Sequence, residues 1–232
     1  MGRVAVISGD IVSSTSLIPE DRLMLHDRLK DLITDLSLKF DTYGRVLKGD
    51  YVECVCSNPH ESLAVALAIK SYVKAIEVNA GAKSSDKNRI KLFKTHGIRL
   101  AIGYGELTTL DVENGVIDGE AIYLAGRKIN EQSGRKKKRV VIKQTLFFES
   151  QEGPLKEQFD PVMGLLDVLI SKATARQSEV LYWKLMGLNE DEIAEKFGVS
   201  QSVINQHSTS VGWNAIEETV SYYNRTVKRD QP

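Results

Sequence analysis

Hydrophobic positions change period several times along the chain. Val4-Ala5-Val6-Ile7 is a continuous apolar run ending in Ser8-Gly9-Asp10, then Ile11-Val12-Ser13-Ser14-Thr15. Such a run predicts a buried strand over residues 3–9, followed by a small, hydroxylic turn. From Pro19 the period becomes helical. Leu25, Leu29, Leu32, Leu36 and Phe40 form a stripe widened by Leu23 and Ile33, with Asp21, Arg22, Asp27, Lys30, Asp31 and Asp35 opposite. This predicts an amphipathic helix to about residue 40. Gly44 to Ser57 predicts two short strands folding back through Lys48-Gly49-Asp50. A second helix starts at Asn58-Pro59 and is apolar nearly all round. The polar stretch 79–91 predicts a loop, and Ile98, Leu100 and Ile102 alternate with Arg99 and Ala101 as in a half-buried strand. Leu107 to Leu110 continues extended, 111–115 reads as a turn, and Gly119 opens a third helix through Ile122, Ala125 and Ile129. The basic run Arg135 to Arg139 predicts a solvated loop, and Val140-Val141-Ile142 a last strand.

The order β-α-β-β-α-β-α-β predicts an α+β sandwich, a sheet with helices on one face, of the ferredoxin-like or palm type. It would occupy residues 1–145. The polar stretch 146–160 is expected to be a linker, and 161–232 a small all-α domain. In that domain Asn189 and Glu192 have capping-box spacing, and Ala194, Gly198 and Ile204 have the spacing of a helix-turn-helix. Gln201, Ser202, Asn205 and Gln206 would then face a DNA groove, and Asn and Gln suit adenine edges. Against this, residues 160–232 hold ten Asp and Glu against seven Lys and Arg, a net charge of −3. Phosphate neutralisation supplies most DNA affinity, so a protein-interaction module is the rival reading.

Composition narrows the class only a little. Acidic and basic residues number 31 each, which gives no polyanion signature, and 42% of residues are hydrophobic, as in a chain with a real core. Cys54 and Cys56 lie two apart with no neighbouring His, which predicts buried apolar residues and no metal site. No basic n-region with a long apolar segment is present, and no apolar run is long enough to cross a membrane, so a cytoplasmic protein is expected.

The candidate chemistry lies in the two Gly-Asp pairs. Asp10 ends a predicted strand, and Asp50 sits at a predicted hairpin tip. For one pair alone the plain reading is a turn, with Ser13 or Ser14 capping a helix. The recurrence of the pattern favours two carboxylates at one sheet edge. Such a pair suits Mg²⁺ or Mn²⁺ with substrate phosphates, the latter held by the N–H groups of Ile11, Val12, Ser13 and Ser14.

These segments resemble the class III nucleotidyl cyclase family, whose two metal-binding segments look like the two Gly-Asp strands here. Ile98-Arg99-Leu100-Ala101-Ile102-Gly103-Tyr104-Gly105-Glu106 resembles that family's next strand. Gly119-Glu120-Ala121-Ile122-Tyr123-Leu124-Ala125-Gly126-Arg127 resembles its helix bearing a transition-state arginine. The resemblance implies metal ligation by Asp10 and Asp50 and phosphate contact by Arg127, from the same or a second subunit. It departs at Tyr123, where an Asn is expected, and at Val46, where a base-reading Lys is expected. Over the whole length the chain resembles the bacterial SatD family, in the Gly-Asp-Ile segment, Ile102 to Thr109, Asp118 to Ala121 and the C-terminal helices. Together these imply a homodimeric regulator with a nucleotide- and metal-sensing domain and a DNA-binding helix-turn-helix, without turnover. The alternative they imply is a metal-dependent nucleotidyl cyclase or nucleotidyltransferase that uses the C-terminal helices only for assembly.

Overall fold

The computed structural model describes residues 2–79, 84–132 and 142–230. Its centre is a five-stranded sheet in the order β2-β3-β1-β4-β7. Among strands β1 (Val4–Ile11), β2 (Thr42–Leu47), β3 (Tyr51–Cys56) and β4 (Ile98–Gly105) each pair of neighbours is antiparallel, and β7 (Leu146–Ser150) pairs parallel to β4. With α1 (Pro19–Phe40) between β1 and β2, and α2 (Ser62–Ala75) between β3 and β4, this is the ferredoxin-like β-α-β-β-α-β order.

Each early element follows from its pattern. Pro19 opens α1, Leu25, Leu29, Leu32, Leu36 and Phe40 are its buried stripe, and Asp41 closes it in a left-handed conformation. Burial of each of those side chains contributes ~1.5–3 kcal/mol, enough together to fix the helix on the sheet. Helix α2 is buried nearly all round, as its sequence predicts. Strand alternation sorts the two faces of the sheet. Ala5, Ile7, Cys54, Leu100 and Ile102 face α1 and α2, while Val6, Val55 and Ala101 face the other way. Both cysteines are buried and unbridged.

Several expectations change. Helices cover both faces of the sheet, because α4 (Glu120–Gln132) packs Ala121, Ala125 and Ile129 on the second face. It approaches so closely that a Cβ on Gly103 would lie 2.1 Å from the Ala121 carbonyl oxygen, so only glycine fits there. Helix α3 (Ser84–His96), anchored by Ile90 and Phe93, begins within the predicted loop 79–91 and runs past its end, and a two-stranded ribbon, β5 (Leu107–Asp111) and β6 (Val116–Gly119), precedes α4.

The predicted basic run at 135–139 lies outside the described residues, as do Val140 and Val141, while Ile142 is not in a strand. The last strand is β7 instead. The expected linker 146–160 is therefore β7 and the first part of α5 (Gly153–Lys172). Nor do the C-terminal helices stand apart. Leu155, Phe159, Met163, Leu181, Tyr182, Tyr223 and Val227 join the same core as the sheet. Lys70 of α2, wholly buried, is 3.0 Å from Asp167 of α5, and Asp167 also accepts from the Thr145 N–H at 2.6 Å and hydroxyl at 2.7 Å. Among the described residues no helix is long and apolar enough to cross a membrane.

Candidate functional site

The two Gly-Asp pairs meet at one end of the sheet. Asp10, at the end of β1, lies directly opposite Tyr51 of β3, and Asp50 is the residue before Tyr51. The Ile11 N–H donates to the Asp50 carbonyl at 2.9 Å, which ties the two segments together. A tight turn presents Asp50. Lys48 and Gly49 both have positive φ, 54° and 81°, and the Asp50 N–H closes the turn onto the Leu47 carbonyl at 3.3 Å. Gly49 takes that conformation at little cost, whereas Lys48 takes it against its Cβ.

The side chains of the pair have different partners. On the other antiparallel side of β1, Asp10 faces Arg99 of β4, whose Nη1 donates to both carboxylate oxygens at 3.2 and 3.1 Å. Arg99 is buried, and by alternation this pair lies on the α4 side of the sheet, with Tyr51. Burial raises the pKa of the Tyr51 phenol, and the negative charges of Glu53 and Asp10 add to the rise. Asp50 accepts from the Ser14 hydroxyl at 2.6 Å.

The segment after β1 is a turn followed by a short 3-10 turn at Ser14–Ser16, with Ser13 left-handed at φ 59°. Its N–H groups divide in two. Those of Ile11 and Val12, expected at a phosphate, are committed to the carbonyls of Asp50 and Gly97, each at 2.9 Å. Both residues are buried, so neither can serve the proposed phosphate role. No hydrogen bond from the N–H of Ser13 or Ser14 is found among the described residues.

Ser14, Thr15 and Asp50 open into a cleft of about 620 Å³ between the start of α1 and the β2–β3 turn. Arg22, His26 and Lys48 also line it. The donor chemistry fits a hard divalent cation. Mg²⁺ takes one or two carboxylates and completes its shell with phosphates and water, so a third protein ligand is not needed. Among the described residues no three His, Cys, Asp or Glu side chains are grouped so as to hold a metal ion by themselves. A cation shared by Asp10 and Asp50 must compete with Arg99 for the first and with the Ser14 hydroxyl for the second.

Other candidates fall elsewhere. Arg127 is exposed on α4, in a separate cleft with Tyr123, Gly126 and Asn130. The Tyr123 hydroxyl donates to Asp118. Val46 is half-buried against the main core. Sequence reasoning missed Arg99. Its one signal was an arginine placed among apolar residues on a strand, and the partner depended on a register that sequence does not give.

At the C-terminus α7 (Glu190–Phe197) and α8 (Gln201–Ser210) are joined by Gly198-Val199-Ser200, with Gly198 left-handed. Ala194 and Ile204 are buried together with Val180 and Ile193. Gln201 and Asn205 do project from α8, but both donate to the Glu190 carboxylate, at 2.5 and 3.2 Å, and Ser208 joins them at 2.7 Å. Burial pushes Glu190 up, but these bonds and the charge of Lys184 outweigh it and hold its pKa below the usual carboxylate range. An ionised carboxylate therefore sits on the face expected to meet DNA. Ser202 bonds with Ser200 at 2.9 Å, and Gln206 is exposed on the same helix.

No protein-family model matches the chain, and no curated protein does. Solved structures similar to it include cyclases. A bacterial light-regulated adenylyl cyclase is 14% identical with a TM-score of 0.43, over 63% of this chain and 42% of that one. The chain thus spans under half of that protein's length. The guanylyl cyclase domain of the RhoGC fusion protein from the aquatic fungus Blastocladiella emersonii is 18% identical with a TM-score of 0.39, over 56% and 74%. The adenylyl cyclase CyaB from P. aeruginosa is 15% identical with a TM-score of 0.37, over 56% and 72%. These likenesses are distant, and the functional reading rests on this chain's own sheet order and on the residues at the ends of β1 and β3.

Proposed function

We propose that the chain binds a nucleoside triphosphate with Mg²⁺ or Mn²⁺ at the Asp10–Asp50 end of the sheet, and works as a metal-dependent nucleotidyl cyclase or nucleotidyltransferase. The observation that supports this is that the backbones of the two Gly-Asp segments adjoin at one end of the sheet, with Asp50 and Ser14 opening into a cleft that Arg22 and Lys48 also line; that Asp10 turns from Arg99 to share the cation is part of the proposal. Asp10 and Asp50 would hold the cation, which when bound neutralises charge on the phosphates. Ser13 and Ser14 would take phosphate oxygens on their N–H groups, and Lys48, Arg22 and His26 would line the path of the triphosphate. Arg127 is no part of this one-copy site. The C-terminal helices, packed into the same core, serve assembly.

The test is incubation of each of the four triphosphates with Mn²⁺, read by mass spectrometry beside a thermal-shift series. Stabilisation that needs both nucleotide and metal, together with a cyclic or oligonucleotide product, is expected. Both should vanish in Asp50→Ala. Stabilisation without product would reduce the reading to a nucleotide sensor, and neither signal would overturn it.

The Ala194–Gly198–Ile204 arrangement favours a second reading, DNA binding through α8 as a helix-turn-helix. On that reading Glu190 must release Gln201 and Asn205, so Glu190→Ala should raise retention of a random-sequence DNA pool at low salt. Unchanged retention near zero would dismiss it.

A further inference from the structure

Helix α9 (Trp213–Asp230) lies antiparallel to α5. Gln158 of α5 donates to the Tyr222 hydroxyl near one end, and Leu169 contacts Gly212, just before α9, at the other. One face of helix α5, from Leu155 to Ile170, is spent in the core. Beside it Val162 and Leu169, half-buried against the core, and Leu165, exposed, follow at i, i+7 and i+3, and with α9 they line a groove of about 490 Å³. Leu165 is 74% exposed, and the neighbouring Val168 is 53% exposed. A single exposed leucine is ordinary, but Leu165 stands at the rim of an apolar groove, and such a groove is a surface a partner can fill.

The charges of the groove indicate its occupant. Among the described residues that line it, the charged ones are Glu218 and Arg225, both on α9. They are seven residues apart, two helical turns and about 10 Å along the axis, with Tyr222 between. The groove carries no net charge, so it offers nothing to a polyanion or to a strongly charged peptide. An acid and a base flanking an apolar centre are what a two-fold axis needs. Rotation about an axis between them places Glu218 against Arg225 of the partner subunit, and the reverse pair forms at the same time.

We propose that two copies of this chain associate through the α5–α9 groove, with Leu165 of each seated in the groove of the other and two symmetry-related Glu218–Arg225 pairs closing the rim. Sedimentation velocity of the full chain over a concentration series tests this. The wild-type chain should be a dimer at micromolar concentration. Leu165→Glu should raise the dissociation constant about tenfold or more, with a melting temperature equal to that of the wild type at concentrations low enough for both chains to be monomers, because the side chain is exposed within one copy. Glu218→Arg should weaken the dimer, and adding Arg225→Glu should restore it, since only a pairing across the two-fold axis makes the double reversal neutral. A wild-type chain that stays monomeric throughout overturns the proposal. So does a dimer indifferent to Leu165→Glu, or a double reversal that weakens further.

Discussion

Removing Asp167 should damage the fold in a way that depends on pH. Lys70 Nζ is wholly buried, 3.0 Å from the Asp167 carboxylate, and donates to the Thr145 hydroxyl at 2.6 Å and the Ile98 carbonyl at 3.1 Å. Burial lowers the Lys70 pKa, and the charge of Asp167 opposes that fall. In Asp167→Ala the ammonium keeps its burial and loses its counter-charge, and the Thr145 N–H loses its acceptor. Breaking one side of a buried pair costs ~3–5 kcal/mol. For a chain of this size that is a fall in melting temperature of roughly 6–20 °C. Without Asp167, Lys70 sheds its proton more readily, so the cost should be full near pH 6 and smaller near pH 9. The double variant Lys70→Met/Asp167→Leu should regain most of the loss, because apolar replacement of a buried pair is often neutral. Urea melts at the two pH values check all three statements. A cost under ~1 kcal/mol, or a double variant no better than the single, would mean that α5 is not seated on α2 through this pair.

Further outcomes follow from other contacts. Gly103→Ala should cost about 1–3 kcal/mol by pushing α4 off β4, since the new methyl meets backbone at Ala121 and Ala125; guanidinium melts measure it. Lys74, whose pKa burial and the charge of Lys70 lower to about 8, binds fewer protons folded than unfolded. Its burial penalty is full below about pH 8 and is relieved as the pH rises toward the unfolded value near 10.4, so stability gains with pH in that window. Lys74→Met should flatten the gain in melts taken between pH 7 and pH 10. Arg99→Met removes the buried competitor for Asp10 and should tighten Mn²⁺ binding about fivefold, the worth of a pair of about 1 kcal/mol. Manganese electron paramagnetic resonance would show it, and unchanged affinity would mean that Asp10 does not touch the cation.

How legible the protein was in its sequence depended on whether a signal was periodic or contextual. Helix α1 was plain because five large apolar residues repeat at one spacing with charge opposite. The strand ends at Asp10 and Asp50 were plain because Gly-Asp punctuates apolar runs. Helix α3 was hidden because two anchors, Ile90 and Phe93, must hold thirteen mostly polar residues, and tertiary burial outweighs their weak pattern. Strand β7 was hidden because Leu146-Phe147-Phe148 is a short apolar run, which periodicity cannot sort. Only pairing with β4 identifies it. Within the site the carboxylates were readable, but their partners were not. Arg99 opposite Asp10 and Glu190 over Asn205 are matters of register and crossing, and the loss of Ile11 and Val12 as phosphate donors followed from hydrogen bonds to residues distant in sequence.

The most direct test of the nucleotide site is a crystal of the chain grown with a non-hydrolysable triphosphate and Mn²⁺, read by anomalous scattering at the manganese edge. The expected result is a peak contacted by Asp10 and Asp50, with phosphate oxygens on the Ser13 and Ser14 N–H groups and the triphosphate lying along Lys48, Arg22 and His26. A nucleotide bound elsewhere, or manganese that avoids both aspartates while Arg99 keeps its hold on Asp10, would contradict it.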